Sequence, residues 1–270
     1  MKVDRILFAL NSNRTYTGFW NIFSRAISKK FDVTPTLIFV GNSEGLNLSD
    51  EFGEIHYLPE VPSASVNYKG ERDFLEWYLT VAHTVYAPSL FPDDVCMTMG
   101  IDQLPLSNIF FDLIDPIPDD KFIIGFSGAY CGQGQGCAHL EPSSHLIAKG
   151  ALSAEILGTK KTWEETANHI FEYRHKYAHV LPNNTFWGLD EYYISDKIAE
   201  YHNQDIFARP MNCDYFNGYW GPNRIDRIMH DSYDAEKLRR GEYTEYHAKR
   251  PYEQYQNFTD SIVKDFLNED

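Results

Sequence analysis

The sequence has little cysteine and no long apolar run. Its four cysteines are too few and too scattered over 270 residues to form a disulfide framework, so we expect reduced thiols. No window approaches the ~18 apolar residues that a membrane-spanning helix needs. The N-terminus lacks the basic start, apolar stretch and small-residue cleavage site of a signal peptide. These absences predict a soluble, cytoplasmic protein.

Basic residues are also scarce relative to acidic ones. The chain has 24 Lys and Arg against 39 Asp and Glu, a formal net charge of −15. Such a charge repels phosphate backbones and anionic membrane surfaces, which argues against nucleic acid as a partner. A small anionic ligand remains compatible with it, because a local group of Arg side chains and backbone N–H groups can oppose the overall field.

Apolar residues are plentiful, with 43% hydrophobic and 15% aromatic, so the whole chain is expected to fold. Strand-like and helix-like runs alternate in the first half, which predicts an α/β fold with a mixed, mostly parallel central sheet flanked by helices. We expect a single domain over residues 1–270. The predicted strands are 5–10, 36–40, 55–58, 95–99 and 122–126, and the predicted helices are 19–30, 71–86, 144–157, 163–176 and 191–201, followed by a polar, Tyr-rich tail. The apolar spacing of Phe258, Ile262, Val263 and Phe266 predicts a short closing helix.

The predicted strand at 95–99 is followed closely by Asp102, then by Gln103 and the turn-favouring pair Leu104 and Pro105. Ligands of open α/β sheets bind outside the carboxyl ends of the strands, so a carboxylate here is well sited for a metal or a phosphate-bearing ligand. The alternative is that Asp102 only caps the following turn.

The run VCMTMGIDQLPLSNIFFD resembles the strand of GT-A glycosyltransferases that ends in Asp-x-Asp. In that family the two acids hold a divalent cation, usually manganese, against the diphosphate of a nucleotide-sugar donor. Here Gly100 stands where the first acid should be, and Asp102 matches the second. The resemblance implies a GT-A-like fold, with Asp102 and Gln103 near the diphosphate and Asp102 and His247 as metal ligands. One carboxylate is a thin shell for a hard cation, so Mn or Mg binding is expected to be weakened or lost.

Further segments carry the same resemblance in the same order. Residues 145–156 look like the strand and helix after the metal motif, and WGLDEYY at 187–193 resembles the Gly-x-Asp-Glu/Gln segment that opens a helix near the acceptor. Residues 224–227 and 247–252 resemble the late segments that close over the diphosphate. The resemblance therefore implies a donor-binding part over about 1–125 and an acceptor-side part over about 126–270.

Particular residues follow from the resemblance. It implies donor contacts from the loop after the first strand, where Tyr16 can stack on a nucleobase, and from the late segments; the residues concerned are Asn11, Arg14, Thr15, Tyr16, His247, Lys249 and Arg250. In physical terms His247 and Arg250 lie three apart beside Pro251 and can face a diphosphate together. The alternative is a solvated, charged tail with local pairing.

Asp190 and Glu191 follow a glycine at a predicted helix start, where N–H groups and the helix dipole stabilise a carboxylate. An inverting sugar transfer needs a base for the proton of the acceptor hydroxyl. Asp190 is the candidate base, with Glu191 beside it. The alternative is that Asp190 is only an N-cap.

A Gly-rich stretch holds Cys131, Cys137 and His139, which invites a zinc interpretation. The spacing fits no common zinc knuckle and a fourth ligand is not evident, so a lid over donor or acceptor is the alternative. It is not a Walker loop, because no Gly-Lys-Ser/Thr follows.

These patterns predict a glycosyltransferase that moves a sugar from a nucleoside-diphosphate sugar to a hydroxyl acceptor such as a glycan. The alternative is a transferase-like protein that binds a nucleotide sugar or glycan without turnover, since the acid at Gly100 is missing. A nucleotidyltransferase is disfavoured, because a Gly-rich loop with Arg and Lys is absent after the first strand. The donor sugar, nucleobase, acceptor, stereochemistry and oligomeric state stay open.

Overall fold

The computed structural model describes residues 1–61, 81–127, 140–177, 188–210, 223–228 and 230–269. The strands of this part of the chain form two sheets. In chain order they are β1 Arg5–Leu10, β2 Thr34–Val40, β3 Glu54–Leu58, β4 Val95–Thr98, β5 Gln103–Pro105, β6 Phe122–Ile124, β7 Leu146–Lys149, β8 Phe207–Ala208, β9 Arg224–Asp226 and β10 Glu245–His247.

The larger sheet has seven strands in the order β3-β2-β1-β4-β7-β6-β8. Every neighbouring pair is parallel except the two that β7 makes, with β4 and with β6. The predicted α/β fold with a mixed, mostly parallel sheet is therefore confirmed. The smaller sheet has three strands in the order β5-β10-β9, with β10 antiparallel to β5 and parallel to β9.

Helices cover both faces of the larger sheet. They are α1 Phe19–Lys30, α2 Ile109–Ile114, α3 Gly150–Ile156, α4 Trp163–Tyr177, α5 Leu189–Glu200, α6 Ala235–Arg239 and α7 Tyr252–Leu267, with a π-helical turn at Ala82–Tyr86 and 3-10 turns at Ala87–Leu90 and Gln204–Ile206. Side chains alternate along β1, so that Ile6 and Phe8 pack in one core with residues of α1 and α7, while Leu7 and Ala9 pack in the other with α3, α4 and α5.

Several local predictions needed correction. The helix predicted over 144–157 is wrong in its first part, where β7 lies between β4 and β6 and only Gly150–Ile156 is helical. A short apolar run fits a buried strand as well as a helix, which explains the error. The pair Leu104 and Pro105 belongs to β5 rather than to a turn. The predicted tail contains β9 and β10, strands too short to show a periodic pattern.

Other predicted elements are close to those observed. The helix predicted over 71–86 ends in the π-helical and 3-10 turns around Pro88, and its residues 71–80 lie outside the described part. The closing helix is α7, which buries Ile262, Val263 and Phe266. None of the helices in the described ranges is long and apolar enough to cross a membrane.

Candidate active site

The carboxyl edge of the larger sheet is the place where the predicted residues gather. From β1 the chain leads to β2 on one side, whereas β4 pairs with β1 on the other side. Such a reversal of strand order opens a crevice at the carboxyl ends, which is where ligands of open α/β sheets bind. The loop after β1, residues 11–18, and the turn after β4, residues 99–102, both lie at this edge.

Asp102 lies in the tight turn between β4 and β5. The Gln103 N–H donates to the Gly100 carbonyl at 2.9 Å, and the Gly100 N–H donates to Gln103 Oε1 at 2.7 Å. The Asp102 carbonyl accepts the Ala248 N–H at 2.7 Å, which ties the turn to the end of β10. Asp102 is 8% exposed. Gln103, predicted to contact the donor, therefore uses its amide oxygen to hold the turn.

Three cationic or potentially cationic side chains surround the Asp102 carboxylate. Oδ2 lies 2.9 Å from an Arg227 guanidinium nitrogen, 3.3 Å from Arg250 Nε and 3.4 Å from His247 Nε2. Burial alone would raise the pKa of Asp102, but His247, Arg250 and Arg227 outweigh it and hold that pKa well below its usual range. The Asp102 carboxylate is therefore ionised at neutral pH.

The register of the small sheet explains how residues so distant in sequence meet. Gln103 pairs with His247 across β5 and β10, and His247 pairs with Asp226 across β10 and β9. Asp102 directly precedes this row, and Arg227 directly follows it. The three-residue strands thus bring side chains from three parts of the chain to one point.

Asp226 orients the His247 ring, since its Oδ2 atom lies 3.2 Å from His247 Nδ1. Asp226 Oδ1 accepts the Ile228 N–H at 2.8 Å. Burial raises the pKa of Asp226. The hydrogen bond with His247, the Ile228 N–H and the nearby Arg224 lower this pKa by more than burial raises it, so the net shift is downward. An ionised Asp226 fixes the imidazole with Nε2 toward Asp102.

A second group of buried polar and charged side chains lies beside this row. Arg224 is 2.6 Å from Glu245 Oε1, and His145 Nε2 is 2.7 Å from Glu245 Oε2. All three side chains are almost fully buried. His145 has a left-handed backbone with φ 61°, a conformation that costs on the order of 1 kcal/mol and needs support from its surroundings. Its ring packs edge-on against Phe126, with centroids 4.6 Å apart.

The loop after β1 meets the same cluster through Tyr16. The Arg250 guanidinium donates a hydrogen bond to the Tyr16 hydroxyl and lies 5.1 Å from the centroid of its ring. The Thr15 carbonyl accepts the Tyr252 N–H at 3.1 Å. Asn11 is buried and its Oδ1 accepts the Asn13 N–H at 2.9 Å, while Arg14 is exposed. Tyr16 is thus buried against Arg250, so its stacking on a nucleobase stays a prediction.

Lys249 does not join this group. Its ammonium donates to Asp231 and lies 5.7 Å from the ring centroid of Tyr255 and 5.6 Å from that of Phe258, on the side of α7. β10 ends at His247, so Lys249 lies beyond the strand, and the rule that residues two apart in a strand share a face does not extend to it. A donor contact from Lys249 needs a change of its rotamer.

Asp190 is a second buried carboxylate at this edge. It is the second residue of α5, whose cap position is Gly188 with φ 84°, so Asp190 is not the N-cap. Burial raises the pKa of Asp190, although hydrogen bonds from the Ser143 hydroxyl and from the N–H groups of Asp190 and Glu191 lower it in part. The carboxyl group therefore holds its proton more tightly than an ordinary Asp does.

Ser143 connects Asp190 to the end of β4. The Thr98 hydroxyl donates to the Ser143 carbonyl at 3.1 Å, and Thr98 is the last residue of that strand. Asp190 thus lies at the same edge as the turn that carries Asp102. Glu191 is half-buried, and its carbonyl accepts the Ser195 hydroxyl at 2.6 Å.

The residues around Asp102 do not fit a divalent cation. Within the described ranges, no group of three or more His, Cys, Asp or Glu side chains is placed to hold an ion. Asp102 Oδ2 already faces the guanidinium groups of Arg227 and Arg250. At position 100 an added Cβ would lie 3.0 Å from both Asp102 Oδ1 and Gln103 Oε1, so Gln103 occupies the space of the missing acid. The predicted metal ligands Asp102 and His247 do lie close together, but the guanidinium groups of Arg227 and Arg250 lie beside Asp102 as well.

Some predicted features lie outside the described residues, namely Cys131, Cys137 and His139 of the Gly-rich stretch, and Trp187. Cys96 is buried and free. Sequence reasoning placed residues 224–227 near the diphosphate only as a segment, and it assigned no individual part to Arg227, Asp226, Ser143 or Glu245. The alternation of charged and apolar residues in RIDR and EYH was a signal for short strands with one charged face, but each run is too short to be told from a loop.

No protein-family model and no curated protein sequence matches the chain. Among solved structures, it is similar to the galactosyltransferase LgtC in complex with donor and acceptor sugar analogues, with a TM-score of 0.48, 11% identity and coverage of 98% of this chain and 95% of that one. It is also similar to the glycosyltransferase GlyE of Streptococcus pneumoniae in its apo form, with a TM-score of 0.44, 9% identity and coverage of 98% and 51%. The chain thus spans about half the length of GlyE.

Proposed function

We propose that this protein is a glycosyltransferase that moves a sugar from a nucleoside-diphosphate sugar to a hydroxyl acceptor. The observation that carries the proposal is the presence of two buried carboxyl groups at one sheet edge, Asp102 beside guanidinium groups and Asp190 beside a hydroxyl and backbone N–H groups. Sugar transfer needs these two environments, because negative charge develops on the leaving diphosphate while a proton leaves the acceptor.

The donor half of the reaction belongs to the cluster around Asp102. The diphosphate binds against Arg250 and Arg227, whose remaining guanidinium donors suit phosphate oxygens. His247 adds an N–H donor when it carries a proton on Nε2. The predicted nucleoside contacts come from the loop after β1, through Asn11, Arg14, Thr15 and Tyr16. Donor binding then draws on residues 1–125 and also on the late segments, while α5 serves the acceptor.

The acceptor half belongs to Asp190. The acceptor oxygen forms a bond to the anomeric carbon, the bond from that carbon to the diphosphate oxygen breaks, and the electron pair leaves with the diphosphate. The Asp190 carboxylate takes the hydroxyl proton, a role that belongs to an inverting reaction. A carboxyl group with a raised pKa is a stronger base than an ordinary Asp, which favours this assignment.

The test is release of nucleoside diphosphate from a panel of UDP- and GDP-sugars, with water or simple glycosides as acceptors. Asp190→Asn is the matched variant, because it keeps the shape of the side chain. We expect release from at least one donor and its loss in the variant. Binding of a donor without any release would instead support the alternative, a nucleotide-sugar or glycan receptor. A thermal-shift screen identifies ligands first, since a ligand at 100 times its Kd stabilises by ~2.7 kcal/mol.

A further inference from the structure

The charges around Asp102 are unequally distributed between the interior and the opening of the site. Arg224 is buried against Glu245, with 4% and 0% of their side chains exposed. Arg227 and Arg250 are more open, with 22% and 23% of their side chains exposed, and both contact Asp102. The accessible end of the cluster therefore presents two guanidinium groups.

A count of the carboxylates and guanidinium groups in the cluster agrees with this unequal distribution. Three carboxylates, Asp102, Asp226 and Glu245, face three guanidinium groups, Arg224, Arg227 and Arg250. Asp226 and Glu245 are almost fully buried, and their carboxylates contact Arg224 and the rings of His247 and His145 rather than the opening of the site. Near the opening one carboxylate faces two guanidinium groups, so that an excess of positive charge is left for a ligand.

We infer that this site binds a diphosphate without a divalent cation, with Arg227 and Arg250 together supplying the two positive charges that such an ion would bring. The inference rests on the proposed function and goes beyond it by assigning to Arg227 and Arg250 the charge that a divalent cation would otherwise supply. It also gives a specific role to Arg227, which sequence reasoning placed near the diphosphate only as part of the segment 224–227.

Asp102 acquires a specific role in this arrangement. Two guanidinium groups repel each other, so they need an anion between them to lie side by side. The carboxylate that they share supplies this negative charge. Each Arg has five N–H donors in a fixed fork, and among the described residues the polar contacts of Arg227 are limited to Asp102. The other donors are available for phosphate oxygens in bidentate geometry.

A cation would have to compete with these groups directly. Asp102 Oδ2 already lies 2.9 Å from the Arg227 nitrogen and 3.3 Å from Arg250 Nε. A cation bound to this oxygen would therefore lie beside two guanidinium groups. Like-charge repulsion in a buried site opposes that placement. The space that a second acid at position 100 would need is also occupied, by Gln103 Oε1.

The experiment measures binding of UDP and of GDP by calorimetry, once in EDTA and once in excess MnCl₂, on the full chain. Arg227→Gln and Arg250→Gln remove one guanidinium each, and Arg240→Gln is the matched control, since Arg240 pairs with Glu242 at the surface. Circular dichroism verifies that each variant folds. We expect equal affinity in EDTA and MnCl₂, about tenfold to hundredfold weaker binding in either site variant, and no change in the control.

The outcomes separate the two proposals. Binding of UDP or GDP that requires MnCl₂ would overturn the metal-free site while leaving the glycosyltransferase proposal intact. Binding in EDTA that neither site variant weakens would also overturn it, because the charge would then come from elsewhere. Failure of both nucleotides to bind in either buffer would count against the proposed function and against this inference with it. Arg227→Lys and Arg250→Lys, which keep the charge, are expected to retain part of the affinity and replace any Gln variant that does not fold.

Discussion

Asp102 and Asp190 are equally buried, at 8% exposure each, and lie at the same edge of the larger sheet, yet their surroundings are opposite. Asp102 faces Arg227, Arg250 and His247, which lower its pKa against the effect of burial. Among the described residues, Asp190 receives hydrogen bonds from the Ser143 hydroxyl and from backbone N–H groups, and burial raises its pKa. Similar exposure therefore does not predict similar chemistry.

The difference indicates a division of labour. Two carboxyl groups whose environments push their pKa values apart are suited to separate tasks at one pH. An acid that stays ionised holds cations in place, whereas an acid with a raised pKa exchanges a proton with substrate. This contrast, rather than either residue alone, supports sugar transfer at this edge.

The largest effect is expected from Asp190→Asn, which removes the base and keeps the side-chain shape. General-base catalysis contributes roughly 10²- to 10⁴-fold, so turnover should fall by about that factor. Donor affinity should stay nearly unchanged, because the proposed donor contacts lie around Asp102. Measuring kcat and the Kd of the donor on one preparation checks both. Full turnover would shift the role to Glu191, tested by Glu191→Gln, or to a mechanism without a protein base.

Arg250→Ala probes the other side of the comparison. Loss of a charge-assisted hydrogen bond should weaken nucleoside diphosphate binding by about 1.5–3 kcal/mol. The variant also loses its contacts with Tyr16, so the loop after β1 is expected to loosen. Calorimetry of the tightest-binding nucleotide checks the prediction, and unchanged affinity would remove Arg250 from the site.

Asp102→Asn should lower stability, since Arg227 and Arg250 lose their shared anion. A hydrogen bond to a charged group is worth about 2 kcal/mol, which corresponds to a Tm lower by about 5 °C. The folded pKa of Asp102 is depressed, so its contribution is present above the unfolded pKa and is lost as pH falls through the folded value. The Tm difference between wild type and variant should therefore shrink in strong acid. A difference that is constant with pH would contradict the role of the charge.

The smallest effect is the pH dependence of the Tm of Asp190→Asn. A raised folded pKa means that the stability contributed by the protonated acid is present below the unfolded pKa, ~3.9, and is lost as pH rises through the folded value. The variant should therefore gain Tm relative to wild type as the pH rises above about 4. Asp196→Asn on the same helix is the control with opposite sign, since bonds from Lys176, Tyr173 and Tyr177 lower the pKa of Asp196 against the effect of burial.

The sequence was informative where signals were local. The strand Arg5–Leu10, the helix Phe19–Lys30 and the helix start beside Asp190 show a period or a glycine within a few residues. The small sheet was not predictable in this way, since its strands have three residues each and draw on distant segments. Arg227 meets Asp102 across 125 residues, a contact that only the register of that sheet explains. The predicted single-domain organisation and the roles of the site residues stay predictions.

The most direct test is the rate of nucleoside diphosphate release from UDP- and GDP-sugars in EDTA, followed from about pH 4 to pH 8. We expect release without added metal, a rate that MnCl₂ does not change, and a loss of activity toward acid with an apparent pKa above the ~3.9 of an ordinary Asp, because Asp190 must be ionised to act as base. Release that appears only with MnCl₂, or that stays constant down to pH 4, would contradict the assignment of opposite tasks to Asp102 and Asp190.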